Sequence, residues 1–282
     1  MRPTAFRRLL LSVLAVLTVA CGAPAPGPAM VVGTSADPQI ALLANVYAAG
    51  LRYYGTDARV QSFDDPLAAL DAGEVSVVPG FTGRLLTRFA PGSAARSASQ
   101  VYRAMVGALP EGIAAGDYAV AAEDKAAFAV TEATARQWGG RDLTALVRNC
   151  AGLSVGTATG SPVATPVGGC SLPVPREFGS TAAMFDALSA GVITAASTST
   201  ADPGVPGGVV VLVDRKPALI PAQNVVALYR RNEMTTMQLR AINELAGVLD
   251  TAALTGMLRQ VRAGADPRAV AESWLAENPL GR

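Results

Sequence analysis

The chain contains three cysteines and no histidine, and these two facts bound its chemistry. Without an imidazole there is no Ser-His-Asp triad and no Cys-His pair, and the commonest neutral metal ligand is missing. Carboxylates remain as acid–base candidates. Asp64-Asp65 and Glu123-Asp124 are adjacent in sequence, which on a strand or helix points the two groups in different directions. They read as solvated turn or cap residues. No Gly-x-Ser-x-Gly elbow occurs, and "GTATGSP" (156–162) lacks the Gly-Lys-Ser/Thr ending of a phosphate-cradling loop. Nothing positive points to an enzyme, a cofactor or a bound metal. Cys150 and Cys170 enclose "AGLSVGTATGSPVATPVGG", a stretch rich in Gly, Ser, Thr and Pro with little to bury. Outside the cytoplasm such a pair is expected to form a disulfide, worth roughly 3 kcal/mol for a loop of this length. Whether the two Cα atoms come close enough depends on the fold.

The third cysteine has a different context. Arg2, Arg7 and Arg8 precede an apolar run from Leu9 to Ala20, and Cys21 follows. A basic head, a short apolar segment and a small-residue boundary describe an export signal over 1–20 rather than a membrane span. Leu17-Thr18-Val19-Ala20-Cys21 resembles the bacterial lipobox, which implies cleavage before Cys21 and its lipidation; an ordinary secretory signal is the alternative. Residues 21–29 then read as the lipidated cysteine and a Pro/Gly/Ala-rich spacer. The expected location is the outer face of the cytoplasmic membrane or cell envelope, with membrane contact only through the lipid. Residues 1–20 carry three of the 23 basic side chains and none of the 22 acidic ones, so the processed chain is slightly acidic and gives no reason to expect nucleic acid.

The elements that would position any site alternate. Met30 to Gly33 reads as a strand, and Asp37-Pro38 starts a helix that Gly55 stops. "ARVQSF", a helix opened by Asp65-Pro66 and ended by Gly73, "EVSVVPG", and helices near 82–89 and 97–109 follow. A second series runs from Ala119: "AAFAV", "TEATARQWG", "DLTALVRN", "GLSVGT", "STAAMFDALSAG", "VITAAST" and "GVVVLVD". After Pro221 come "NVVALYR" and then only helices, near 235–246, 251–262 and 267–277. Strands separated by helices predict parallel sheets covered on both sides. A helix-only tail must bury its apolar stripe on something made earlier. The expected class is therefore α/β with two lobes, 30–117 plus 225–282 and 118–224, with hinge crossings near 117–121 and 214–224 and a cleft between them.

This pattern resembles the substrate-binding lipoproteins of glycine betaine/choline (osmoprotectant) ABC importers, whose fold is the type II periplasmic-binding-protein architecture. "VVGTSADPQIALLANVYAAGLRYYG" is similar to their opening strand, loop and first helix. "GEVSVVPGFTGRLL" resembles a segment usually written Tyr-Pro-Glu-Tyr-Thr-Gly-Thr: Pro79, Thr82 and Gly83 fit, while Val78 and Phe81 replace tyrosines. "VDRKPALIPAQNVVALYRR" resembles their return to the first lobe, and the tail through "DPRAVAESWLAEN" is the best match. The resemblance implies a solute receptor, expected to be monomeric, serving an ABC permease. The family holds quaternary ammonium groups in aromatic cages, and here those positions depart. A usual tyrosine falls on Ala126, and Pro-Pro-Tyr-Tyr becomes Pro221-Ala222-Gln223-Asn224.

The expected cleft residues are Thr34, Ser35, Phe81, Thr82, Asp124, Lys125, Ser197, Thr198, Gln223 and Asn224, with Phe81 as a ring wall and Tyr118 or Phe63 as candidates for a second. Several have a bland reading: Thr34, Ser35 and Asp37 suit a helix cap, Phe81 a core position, Gln223 and Asn224 a turn, and Lys125 an exposed position. Hydroxyls, amides and one charged pair suit a neutral polyol, an amide or a phenolic solute better than a bare cation. A scaffold lipoprotein that kept the fold and lost the ligand is the alternative; an exposed apolar patch in place of a polar cleft would mark it.

Overall fold

The computed structural model describes residues 29–161 and 163–281. The export signal and Cys21 lie outside them. Among the described residues no helix is long and apolar enough to cross a membrane.

The first lobe opens with β1 (Met30–Thr34) and α1 (Pro38–Tyr53). The Asp37 carboxylate accepts the backbone N–H groups of Gln39 and Ile40 at 2.8 and 3.4 Å, satisfying donors that the first helical turn leaves free. β2 (Ala58–Ser62), α2 (Pro66–Ala72), β3 (Val77–Phe81), α3 (Thr82–Phe89), α4 (Ala98–Gly107) and β4 (Ile113–Ala115) follow. Asp65 caps α2 in the same way, and Gly73 ends it at φ 78°, a left-handed turn that favours glycine.

The chain then builds the second lobe from β5 (Ala126–Thr131), α5 (Glu132–Trp138), α6 (Leu143–Arg148), β6 (Val155–Ala158), β7 (Arg176–Phe178), α7 (Thr181–Ser189), β8 (Ala195–Ser199) and β9 (Val209–Val211). It returns through β10 (Val225–Arg230) and finishes with α8 (Thr236–Val248), α9 (Thr251–Arg262) and α10 (Pro267–Glu277).

Two five-stranded sheets result, in the orders β2-β1-β3-β10-β4 and β7-β6-β8-β5-β9. Both are mixed, which corrects the parallel expectation. β10 runs antiparallel to β3 and β4, and β5 antiparallel to β8 and β9. Each of these reversing strands is the one by which the chain enters its sheet from the other lobe. It therefore arrives from the cleft side, where the helix-connected strands end. β4 and β7, three residues each, lie outside the strands expected from sequence, while β9 is as short but sits inside the apolar run "GVVVLVD".

The terminal helices pack on α1. That helix is buried almost all round, with Leu42, Leu43, Ala44 and Ala48 fully buried and Tyr47 at 1% exposure, because it lies between its own sheet and α8 and α10. The second lobe has a smaller core around Phe128, Leu143, Leu146 and Val155. Cys150 and Cys170 are disulfide-bonded there, with Cα atoms 5.7 Å apart.

Candidate functional site

A cavity of about 520 Å³ lies between the lobes. Its first-lobe wall is the start of α3 and the end of α9. Gly83 lets α3 approach the returning chain: a Cβ there would stand 2.5 Å from the Ala222 carbonyl oxygen and 2.7 Å from Gln223 Nε2. Gln223 Oε1 accepts the backbone N–H of Arg84 at 2.9 Å, so one side chain both caps the helix and edges the cavity. The second-lobe wall forms at the C-terminal ends of β6 and β8, the start of α7, and the segment inside the disulfide loop that carries Ser161, Val163 and Ala164. In open α/β sheets, ligands bind at such strand ends.

Two ion pairs join the lobes at this cavity. Arg84 Nη2 donates to Asp124 Oδ2 at 3.2 Å, while its Nη1 lies 3.9 Å from Asp37 Oδ2. Arg262, the last residue of α9, donates from Nη1 to Asp202 Oδ1 at 3.2 Å. Both aspartates are oriented by further donors. Asp124 Oδ1 accepts the Ala201 N–H at 3.4 Å. Asp202 accepts the Gly204 N–H at 2.8 Å and the Thr198 hydroxyl at 2.9 Å. The guanidinium groups remain accessible, with side-chain exposures of 48% for Arg84 and 60% for Arg262. A second space of about 190 Å³ shares Asp124, Ser199, Asp202 and Arg262 with the main cavity.

Of the residues expected from sequence, Asp124, Ser197, Thr198 and Gln223 line this cavity. The others serve its frame. Thr34 is buried and donates to the Ser35 carbonyl, and Ser35 Oγ accepts the Asp37 N–H. Both belong to the entry of α1. Thr82 is fully buried; its N–H donates to the Asn224 carbonyl at 2.9 Å and its hydroxyl accepts the Asn224 N–H at 3.1 Å. Asn224 is 2% exposed and its amide donates to the Ala119 carbonyl at 3.0 Å, which ties the two crossing segments together.

Lys125, read as an exposed or cleft residue, is 7% exposed. Its ammonium lies 3.3 Å from Asp214 Oδ2 and 3.8 Å from Glu123 Oε2. Burial holds the Glu123 carboxyl above the ordinary glutamate range, against the pull of Lys125.

Phe81 corrects the expectation of a ring wall. It is 1% exposed and packs into the first-lobe core, with the Arg84 guanidinium 4.7 Å from the ring centroid. The physical reason is that β3 is buried along its whole length, so a side chain at its end meets core. Tyr118 packs against Tyr102 at 4.7 Å, and Phe63 packs with the α2–α4 core. No aromatic side chain is among the described residues that line the cavity.

Sequence reasoning missed Arg84, Asp202, Arg262 and Met184. Arg84 directly follows the Thr82-Gly83 pair and was recoverable from that motif. Arg262 carried no signal, since a C-terminal arginine on an amphipathic helix reads as a solvated end.

A family profile described as the substrate binding domain of an ABC-type glycine betaine transport system matches residues 28–277. The chain belongs to this family. As a substrate-binding domain of ABC importers it is extracytoplasmic, serves a membrane permease by delivering a small solute, and is not an enzyme.

Solved structures agree on the fold. Apo YehZ from Escherichia coli is 18% identical with a TM-score of 0.69, over 90% of this chain and 99% of that one. A glycine betaine/carnitine/choline ABC transporter structure is 15% identical with a TM-score of 0.71, over 88% and 98%. An ABC-transporter choline binding protein in complex with choline is 16% identical with a TM-score of 0.55, over 88% and 89%. No curated protein matches. Identities this low speak for the two-lobed architecture and leave the ligand to the residues of this chain.

Proposed function

We propose that the protein is a lipid-anchored monomeric receptor whose lobes, 30–117 plus 225–282 and 118–224, swing about the crossings near 117–121 and 214–224 to enclose a small solute. The observation that carries this reading is the cavity bounded by both lobes and spanned by Arg84–Asp124 and Arg262–Asp202. Groups that meet across a cleft stabilise the closed state selectively, and a ligand that touches both walls adds to that bias. The crossings support a hinge: Ala119 N–H donates to the Val225 carbonyl at 2.8 Å, and Asp124 N–H to the Gln223 carbonyl at 3.0 Å. The two segments therefore move as a paired ribbon. Of the residues named from sequence, Asp124, Ser197, Thr198 and Gln223 contact the solute; Thr34, Ser35, Phe81, Thr82, Lys125 and Asn224 hold the walls.

Lipidation at Cys21 rests on its lipobox-like context and the Pro/Gly/Ala-rich spacer behind it. Two measurements test the reading. Small-angle scattering should show the radius of gyration falling when a bound solute is added; no compaction with a solute that binds would contradict the swing. Cys21→Ser should move the protein from the membrane to the soluble fraction, and persistence at the membrane would contradict the anchor.

A further inference from the structure

Resting on that receptor reading, we infer that the cleft takes a neutral, polyhydroxylated solute of about monosaccharide size, rather than a quaternary ammonium compound. Three features of the cavity lead there.

The first is its unused hydrogen-bonding capacity. Ser197 lines the cavity at 6% exposure, and its hydroxyl has no hydrogen-bond partner among the described residues. The hydroxyls of Ser199, two residues on along β8 and so on the same face, of Thr181 at the start of α7 and of Ser161 also line the cavity without a partner among the described residues, the first two half-buried and Ser161 exposed. None of the four is a buried unpaired atom, since among the described residues only Asn224 Oδ1 is one; water serves these hydroxyls in the free protein, and a ligand's own hydroxyls can take its place. These four await groups that both donate and accept, which is what an alcohol does.

The second is charge. Each arginine of the cavity is matched to an aspartate, and Asp37 stands close to Arg84 as well. Among the described lining residues no uncompensated cation is left to hold an anionic solute. Among the described residues lining the main cavity no carboxylate is left free for a cation, since Asp124 and Asp202 each already accept from an arginine and a backbone N–H, and Asp37 borders the smaller space instead. A quaternary ammonium cannot donate a hydrogen bond. It needs either a ring face or an unpaired carboxylate, and the described lining supplies neither. A diol can share these ion pairs, donating to the carboxylate and accepting from the guanidinium without breaking either.

The third is the apolar remainder. Val163, Met184 and Ile220 line the same space, giving the C–H face of a ring-shaped polyol a surface. The volume lies within the range of small-molecule sites.

Isothermal titration of the intact domain with D-glucose, myo-inositol, D-sorbitol, glycine betaine and choline tests this. The expected result is heat from at least one of the three polyols and none from glycine betaine or choline. Ser197→Ala should then weaken that polyol roughly tenfold at unchanged melting temperature of the free protein. Binding of choline or glycine betaine with silence from the polyols would overturn the solute class while leaving the receptor reading intact. An unchanged polyol affinity in Ser197→Ala would overturn the assignment of the hydroxyl face. Silence from all five would also overturn the class. If protein taken from its own envelope then also releases no small molecule, the receptor reading falls with it.

Discussion

The two lobes solve the problem of holding a wall of the cleft in different ways. The first lobe is held by packing: α1 sits between its sheet and the returning α8 and α10, and its wall of the cleft is made of helix ends. The second lobe gives part of its wall to the segment that follows β6 inside the disulfide loop, where among the described residues of 159–169 only Val167 is buried, and it is held by pins. One pin is the Cys150–Cys170 disulfide. The other is the Lys125–Asp214 ion pair, whose side chains are only 9% and 2% exposed. Asp214 also accepts the N–H groups of Leu219 and Ile220, so this pin fastens the chain just before it re-crosses. A wall that must present hydroxyls to a ligand cannot also be a good apolar core, and the pins offset that deficit.

This contrast can be broken in several places. Lys125→Met has the largest expected effect, because it strands the Asp214 carboxylate in the interior. A loss of about 3 kcal/mol follows, and amide exchange should rise in the second lobe before the first. Uniform loss of protection across both lobes would contradict the division. Reducing the disulfide, or Cys150→Ser with Cys170→Ser, should cost roughly 3 kcal/mol in denaturant unfolding and loosen the segment carrying Ser161, Val163 and Ala164.

Asp250→Ala probes the packed lobe. It removes the carboxylate that accepts the Ala253 N–H at 2.7 Å at the start of α9 and should cost about 1 kcal/mol, leaving the second lobe's exchange unchanged.

The smallest effect concerns Glu123. Its folded pKa lies above the ordinary value of 4.5 because of burial. Folding therefore favours its protonated form. Its stabilising contribution is complete below the unfolded pKa and is lost as pH rises through the folded one. Glu123→Gln should flatten thermal stability across that mildly acidic window; an unaltered pH profile would contradict the assignment.

The same contrast explains what could be read from sequence. Helices opened by Asp-Pro pairs were legible because capping is local: Asp37-Pro38, Asp65-Pro66 and Asp266-Pro267 each begin a helix in the structure. So was the alternation of strands and helices that makes the class α/β. Strand direction was not, since β10 and β5 are reversed by where the chain comes from, a property of the whole path. At the cleft, Ser197 and Thr198, expected there from sequence, line the cavity at the end of β8. Phe81 was misjudged because the turn motif after it hides how deeply β3 is buried. The cross-lobe arginines were missed because their partners, Asp124 for Arg84 and Asp202 for Arg262, lie far away in sequence. Pairing of that kind exists only after folding.

The central claim is a closing crevice whose described lining has no rings, spanned by two charge pairs and presenting hydroxyls from the second lobe. Mass spectrometry of the small molecule released on denaturing protein purified from its native envelope addresses it most directly. An uncharged polyol of monosaccharide size is the predicted species; recovery of a quaternary amine, or of nothing, would contradict the claim.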